Sequence, residues 1–145
     1  MRAFLDTTVP VYASGEEHEQ RSPSLRVLES ASQTQDLVFA SSEVLQEVLN
    51  IYVRRRQAGR AVEVIRDLVG TLGRTIVAVS ADDVVEAAMA TFHAALSARD
   101  RVHIAVMRRL GIEAIISADH GFDLVPGVRR LDPLEFATWR AEVFG

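Results

Sequence analysis

Asp6, Glu47 and Asp119 are remote from one another in the chain, yet each comes at or soon after the end of a short apolar run. Asp6 follows residues 3–5 at once, and two hydroxyls, Thr7 and Thr8, come next. Residues 37–40 lead into SSEVLQEV, which carries Glu43 and Glu47 four apart, on one face of a helix. Residues 114–116 precede Asp119. If these acids meet, their repulsion must be answered. Two unit charges about 4 Å apart repel by roughly 4 kcal/mol at an effective dielectric near 20. Several such pairs rival the ~5–15 kcal/mol stability of a whole domain. Gathered carboxylates therefore spread apart, take up protons, or hold a cation. The chain has no cysteine and no histidine pair at metal-site spacing, so an all-oxygen set favours Mg²⁺ or Mn²⁺ over zinc. Such an ion polarises a phosphoryl oxygen and activates water near neutral pH.

Positioning these groups requires strands that end along one edge. Short apolar runs at residues 3–5, 37–40, 76–79 and 114–116 read as strands, with 128–131 as a weaker edge strand. Most lack alternation, as strands covered on both faces do. Apolar stripes at helical spacing lie between them: Leu45, Val48, Leu49 and Tyr52; Val62, Ile65, Leu68, Val69 and Leu72; Val84, Val85, Ala88 and Phe92; Val102, Ala105, Val106 and Leu110. Gly111 is a C-terminal stop for the last of these, and Asp132-Pro133-Leu134-Glu135 is a helix start. Residues 14–24 are polar and read as a loop. Strands alternating with helices predict a three-layer α/β/α domain on a central, mainly parallel sheet of four to five strands, spanning residues 1–145. In such a sheet the carboxyl ends of the strands share one rim, where ligands bind. That places Asp6, Glu47 and Asp119 together. Asp100 joins them only if its helix starts at the same rim, which alternation alone leaves open.

Composition narrows the classes. The 145 residues carry a net charge of −4, which weighs against a wholly basic nucleic-acid-binding surface. Lysine is absent, so all 16 basic residues are arginine, clustered at positions 54–56 and 60, 99 and 101, 108 and 109, and 129 and 130. Solvated helix faces explain such clusters, and so does a rim that contacts phosphate. No apolar run is long enough to span a bilayer and no signal pattern opens the chain, so a cytoplasmic protein is expected. No Gly-x-Ser-x-Gly motif is present, and a phosphate-loop ATPase would need a lysine.

Each acid also has an ordinary structural role open to it. Asp6 fits a helix cap or an Asx turn, and Asp119 in SADHGFD fits a turn. Asp100 lies three after Ser97, and Asp83 three after Ser80, both at capping-box spacing. Glu43 suits the positive end of a helix dipole. His103, one turn after Asp100, supports that acid or fills the core; His120 reads as a turn residue.

Four stretches in order, LDTTV, SSEVLQEV, LSARDRVHIA and IISADHGFD, resemble the PIN-domain family, and within it VapC-type toxins of toxin–antitoxin pairs. The similarity runs from Arg2 to about Pro133. It implies a metal-dependent endoribonuclease using Mg²⁺ or Mn²⁺, with Asp6, Glu47, Asp100 and Asp119 as catalytic and metal-holding acids. It also implies a rim position for Asp100 and hydroxyl roles for Thr7 and Ser117. Thr8 departs from the family's usual residue, and Glu43 is a secondary candidate. Arg54, Arg55 and Arg99 are candidates for positioning an RNA strand. The implied partners are RNA, a small antitoxin and a second copy of the chain. Two rivals stand beside this reading: an inactive RNA- or partner-binding domain, and a haloacid-dehalogenase-like phosphatase. The second needs an aspartate where Thr8 stands, and a lysine.

Overall fold

The computed structural model describes residues 1–145. β1 (Ala3–Leu5), β2 (Val38–Ser41), β3 (Ile76–Val77), β4 (Ala114–Ile116) and β5 (Arg129–Leu131) form one sheet in the order β3-β2-β1-β4-β5. Every pairing is parallel. The central strands explain why: AFL and AII are buried at every position, so both faces need cover. The helices that supply it are α1 (Thr8–Ala13), α2 (Arg21–Gln33), α3 (Ser42–Arg54), α4 (Ala58–Leu72), α5 (Ala81–Met89), α6 (Ala98–Leu110) and α7 (Phe136–Phe144). A principal core of 25 residues surrounds β1 and β4, with Phe4, Leu5, Ile104, Ile115 and Ile116 fully buried. No helix is long and apolar enough to cross a membrane.

The strand order reverses direction beside β1, because β2 lies on one side of it and β4 on the other. Register fixes the consequence. Leu5 pairs with Ile116, and the Asp6 N–H donates to the Ile116 carbonyl at 3.0 Å, so the residues after both strands emerge side by side. That crevice is where ligands bind in open parallel sheets.

Several elements differ from the sequence expectation. β3 keeps only two residues, because the Val79 N–H donates to the Ser42 hydroxyl and Arg109 takes the Ala78 carbonyl, leaving no ladder to continue. The polar stretch ends at Gln20, and α2 starts at Arg21 over a modest buried face of Pro23, Ser24, Val27 and Ala31. The α5 face is rotated by one position. Asp83 and Ala87 are buried there, while Val84 and Val85 are half exposed. Helix α5 also stops at Met89, short of Phe92. The tail motif caps a short 3₁₀ turn, Pro133–Glu135, with the Asp132 carboxylate accepting from the Leu134 N–H, and α7 follows.

Candidate metal centre

Asp6 leaves β1 already bonded. Its Oδ2 accepts from the Ser117 hydroxyl at 2.6 Å and from the Thr8 hydroxyl at 2.9 Å. Ser117 in turn accepts from the Asp119 N–H at 2.9 Å, and Thr8 accepts from the Ala118 N–H at 3.1 Å. One oxygen of Asp6 is thus locked between the ends of β1 and β4, and Oδ1 is left without a hydrogen-bond donor, 3.9 Å from His103 Nε2. Thr8, not Thr7, supports the first acid. Thr7 instead donates to Glu47 Oε2 at 2.7 Å, tying the start of α1 to α3.

Asp100 does reach the rim. Helix α6 begins near Asp6 and ends at Leu110, whose carbonyl accepts from Arg2 just ahead of β1, so it runs antiparallel to the strands. Helix α5 runs the other way, since Arg109 in the last turn of α6 pairs with Asp83 in the first turn of α5. The two helices therefore run antiparallel, and the chain that leaves α5 enters α6 at Ser97 beside the acids. Ser97 caps α6 by accepting from the Asp100 N–H at 3.1 Å, so the capping role and the rim position coexist.

Donor atoms of Asp6, Asp100 and His103 lie within 4.8 Å of one another. Glu47 flanks them. His103 Nε2 stands 3.3 Å from Glu47 Oε2 and 3.9 Å from Asp6 Oδ1. A carboxylate only accepts, so Nε2 carries the proton. His103 is fully buried against Phe4, and its Nδ1 has no partner. Its contact is with Glu47 rather than with Asp100 one turn before it. The signal in the sequence was a polar ring on an otherwise apolar helix face, three residues after an acid.

Asp119 sits partly buried beside Asp100, whose ionisation it opposes. One of its oxygens accepts from the Gly121 N–H at 2.8 Å, closing the expected turn. Arg130 holds that loop from β5. It donates to the Ser117 carbonyl at 3.0 Å and pairs with Asp123 and Asp132. Glu43, one turn before Glu47, is partly buried and makes no hydrogen bond or ion pair. Arg99 approaches Glu47 Oε1 at 3.8 Å. Arg54 and Arg55 are exposed at the end of α3 and pair with no acid.

The electrostatics record an uncompensated negative charge. Burial pushes the Asp6 carboxyl up, against the pull of His103 and the Ser117 hydroxyl. Asp100 is raised to about 6 by burial and by the charges of Asp6 and Asp119. Burial also disfavours the Glu47 charge, but hydrogen bonds from His103 and Thr7 outweigh it and hold its carboxyl low. For His103, burial opposes the charge and the surrounding carboxylates more than restore it. One buried imidazole among four acids does not balance them. Hard oxygen donors, at least one oxygen of Asp6 without a hydrogen-bond donor, and surplus charge are what a divalent cation such as Mg²⁺ takes. The residues fit that group.

The PIN domain family model matches residues 3–128. Ribonuclease VapC13 of Mycobacterium tuberculosis is 35% identical over 131 residues, covering 88% of this chain and 98% of the relative. Among solved structures, M. tuberculosis VapC20, a sarcin–ricin-loop-cleaving toxin, superposes with a TM-score of 0.63 at 22% identity, covering 81% of this chain and 90% of that one. VapBC2 of Rickettsia felis, bound to a DNA fragment from its promoter, gives a TM-score of 0.65 at 15% identity over 91% of this chain and 98% of that one.

Proposed function

This chain belongs to the PIN-domain family, and from that premise we propose that it is a divalent-cation-dependent endoribonuclease, the toxin of a toxin–antitoxin pair, acting as one domain over residues 1–145. The observation that carries the reading is the convergence of Asp6, Asp100 and His103 within 4.8 Å, with Glu47 and Asp119 around them. Asp6, Glu47, Asp100 and Asp119 would hold one or two Mg²⁺ or Mn²⁺ ions. A cation in that set supplies Lewis acidity toward a phosphodiester and a lowered pKa for the attacking water.

The chain's own groups do the rest. Ser117 and Thr8 fix the rotamer of Asp6 by sharing its Oδ2. Thr7 and His103 fix Glu47 through its Oε2. Arg130 holds the loop that presents Asp119. Arg99, beside Glu47, faces the phosphate backbone of the bound strand, and Arg54 and Arg55 extend that contact. Hydrolysis adds the water oxygen to phosphorus, breaks one ester P–O bond, and returns a proton to the departing oxygen. Preorganised charge of this kind is where a nuclease gains most of its rate.

Partners follow from the same family and from exposed surface. A small antitoxin partner is supported by the VapBC2 assembly. A second copy of the chain is supported by Leu49 and Val53 on α3 and Val62 and Val69 on α4, all about half exposed. The cytoplasm, where RNA is found, is the proposed compartment. The inactive-domain reading leaves the gathered carboxylates without a purpose.

The test uses the purified chain, free of partners, on total cellular RNA. Cleavage with Mg²⁺ or Mn²⁺ that stops with EDTA and with Asp6→Asn, while the variant keeps its circular dichroism, supports the reading. Cleavage indifferent to both treatments refutes the site.

A further inference from the structure

A cavity of about 880 Å³ lies away from the acids, between the α1–α2 loop and the corner joining α3 to α4. We propose that this cavity, walled by Arg55 and Arg60 on one side and the Tyr12–His18 pair on the other, binds a nucleotide of the RNA strand beyond the one being cut. The proposal rests on the nuclease reading and extends its substrate path.

Position is the first argument. Helices α1 and α3 are tied together at the acids by the Thr7–Glu47 hydrogen bond, and residues near their far ends, Tyr12 and Arg55, line the cavity. Arg54 follows Glu47 by seven residues, so it lies on the same helical stripe about two turns on, roughly 10 Å away. A strand with its reacting phosphate at the acids and its backbone along Arg54 enters the cavity within a few nucleotides.

The lining has the three kinds of group that recognise a single-stranded nucleotide. Arg55 and Arg60 have no carboxylate within ion-pairing distance, whereas Arg74, Arg109, Arg129 and Arg130 are all paired with acids. The Tyr12 and His18 rings are stacked, with centroids 4.7 Å apart and planes 20° from parallel, and they present an aromatic face. Glu16, Glu17 and Gln57 offer acceptors to exocyclic amines on a base. Tyr52, which lines the cavity, is only 1% exposed, and its hydroxyl is buried with no partner. The volume lies within the ~300–1,000 Å³ range of small-ligand pockets.

The corner that carries the two arginines is a tight turn. Helix α3 ends with the Gln57 N–H on the Tyr52 carbonyl at 2.7 Å and the Arg56 N–H on the Val53 carbonyl at 3.0 Å. In that turn the residue at Arg56 is left-handed, with φ 56°, a place where glycine is the usual choice. The turn separates Arg55, at the end of α3, from Arg60, in the first turn of α4, the two arginines of the cavity wall.

The experiment measures fluorescence anisotropy of labelled single-stranded RNAs, three and ten nucleotides long, on the full chain with Ca²⁺ in place of Mg²⁺, so that the strand stays uncut during the titration. Wild-type protein gains affinity on lengthening. The Arg55→Gln/Arg60→Gln variant loses most of that gain, about tenfold or more. Its salt slope falls by roughly 1.4, the value for two single-strand phosphate contacts. Unchanged affinity and slope in the double variant overturn the proposal and leave the cavity to a protein partner. That outcome, with RNA still cut by wild-type protein, spares the nuclease reading; wild-type protein that neither cuts nor binds RNA defeats the nuclease reading instead.

Discussion

Ser80 and Asp83 open α5, and Ser97 and Asp100 open α6, with the same spacing and the same residue types. The first pair forms a complete capping box. The Asp83 N–H donates to Ser80 at 3.2 Å and the Ser80 N–H to Asp83 at 2.9 Å, while Arg109 grips both carboxylate oxygens at 2.8 and 3.0 Å. Arg109 thus holds the Asp83 carboxyl below its usual range. In the second pair only the serine half of the box forms. Asp100 turns its carboxylate toward Asp6 and Asp119, and burial with those charges lifts it to about 6. A capping motif therefore says where a helix begins and nothing about where its acid points. The neighbour decides: an arginine finishes one site, and two further acids leave the other open to a cation.

Substitutions separate the two aspartates most sharply. Asp100→Asn lowers kcat/KM for RNA at least about 100-fold and leaves the metal-free protein as stable as before or more so, because it removes repulsion. Asp83→Asn keeps cleavage within about threefold and lowers Tm, since Arg109 loses its partner. Equal loss of cleavage in both would erase the distinction. His103→Leu comes next. It removes the donor to Glu47 and weakens Mn²⁺ binding roughly 10–100-fold, as outer-shell losses do, and His103→Gln recovers part of that. Equal Mn²⁺ affinity in wild type and His103→Leu would remove His103 from the site.

pH sharpens the comparison further. A carboxyl raised in the folded state contributes stability below its unfolded value, and that contribution is lost as pH rises through its folded one. For Asp100 the window runs from 3.8 to about 6. Asp83, lowered by Arg109, has the opposite sign: its contribution is present above 3.8 and is lost on acidification. Calorimetry should find that Mg²⁺ raises Tm more at pH 7.5 than at pH 5, and that the difference shrinks in Asp100→Asn. The smallest effect is in the caps. Ser80→Ala and Ser97→Ala each cost about 1 kcal/mol by chemical denaturation, and only Ser97→Ala also slows cleavage.

The sequence made the rim legible because parallel strands all end on one side. The runs before Asp6 and Asp119 needed only burial to read correctly, and β1 and β4 are indeed fully buried. The position of Asp100 was not derivable that way. It depends on two consecutive helices without a strand between them, and the direction of α5 is set by the Arg109–Asp83 pair, a long-range contact that spacing does not encode. The same holds for Thr8 and His103, whose partners are fixed by side-chain rotamers at the junction of β1, α3 and β4. Stripes such as Val62 and Val69 had the right period but lie on the outer face of their helix, because periodicity marks apolar positions and not what covers them.

The central claim is that the acids at the β1–β4 crevice hold a divalent cation. Isothermal titration of Mn²⁺ into the EDTA-stripped chain tests it directly, with wild type and Asp100→Asn side by side. Saturable binding to wild type, weakened tenfold or more in Asp100→Asn, is the expected result. No heat at millimolar Mn²⁺, or identical isotherms for the two proteins, would contradict it.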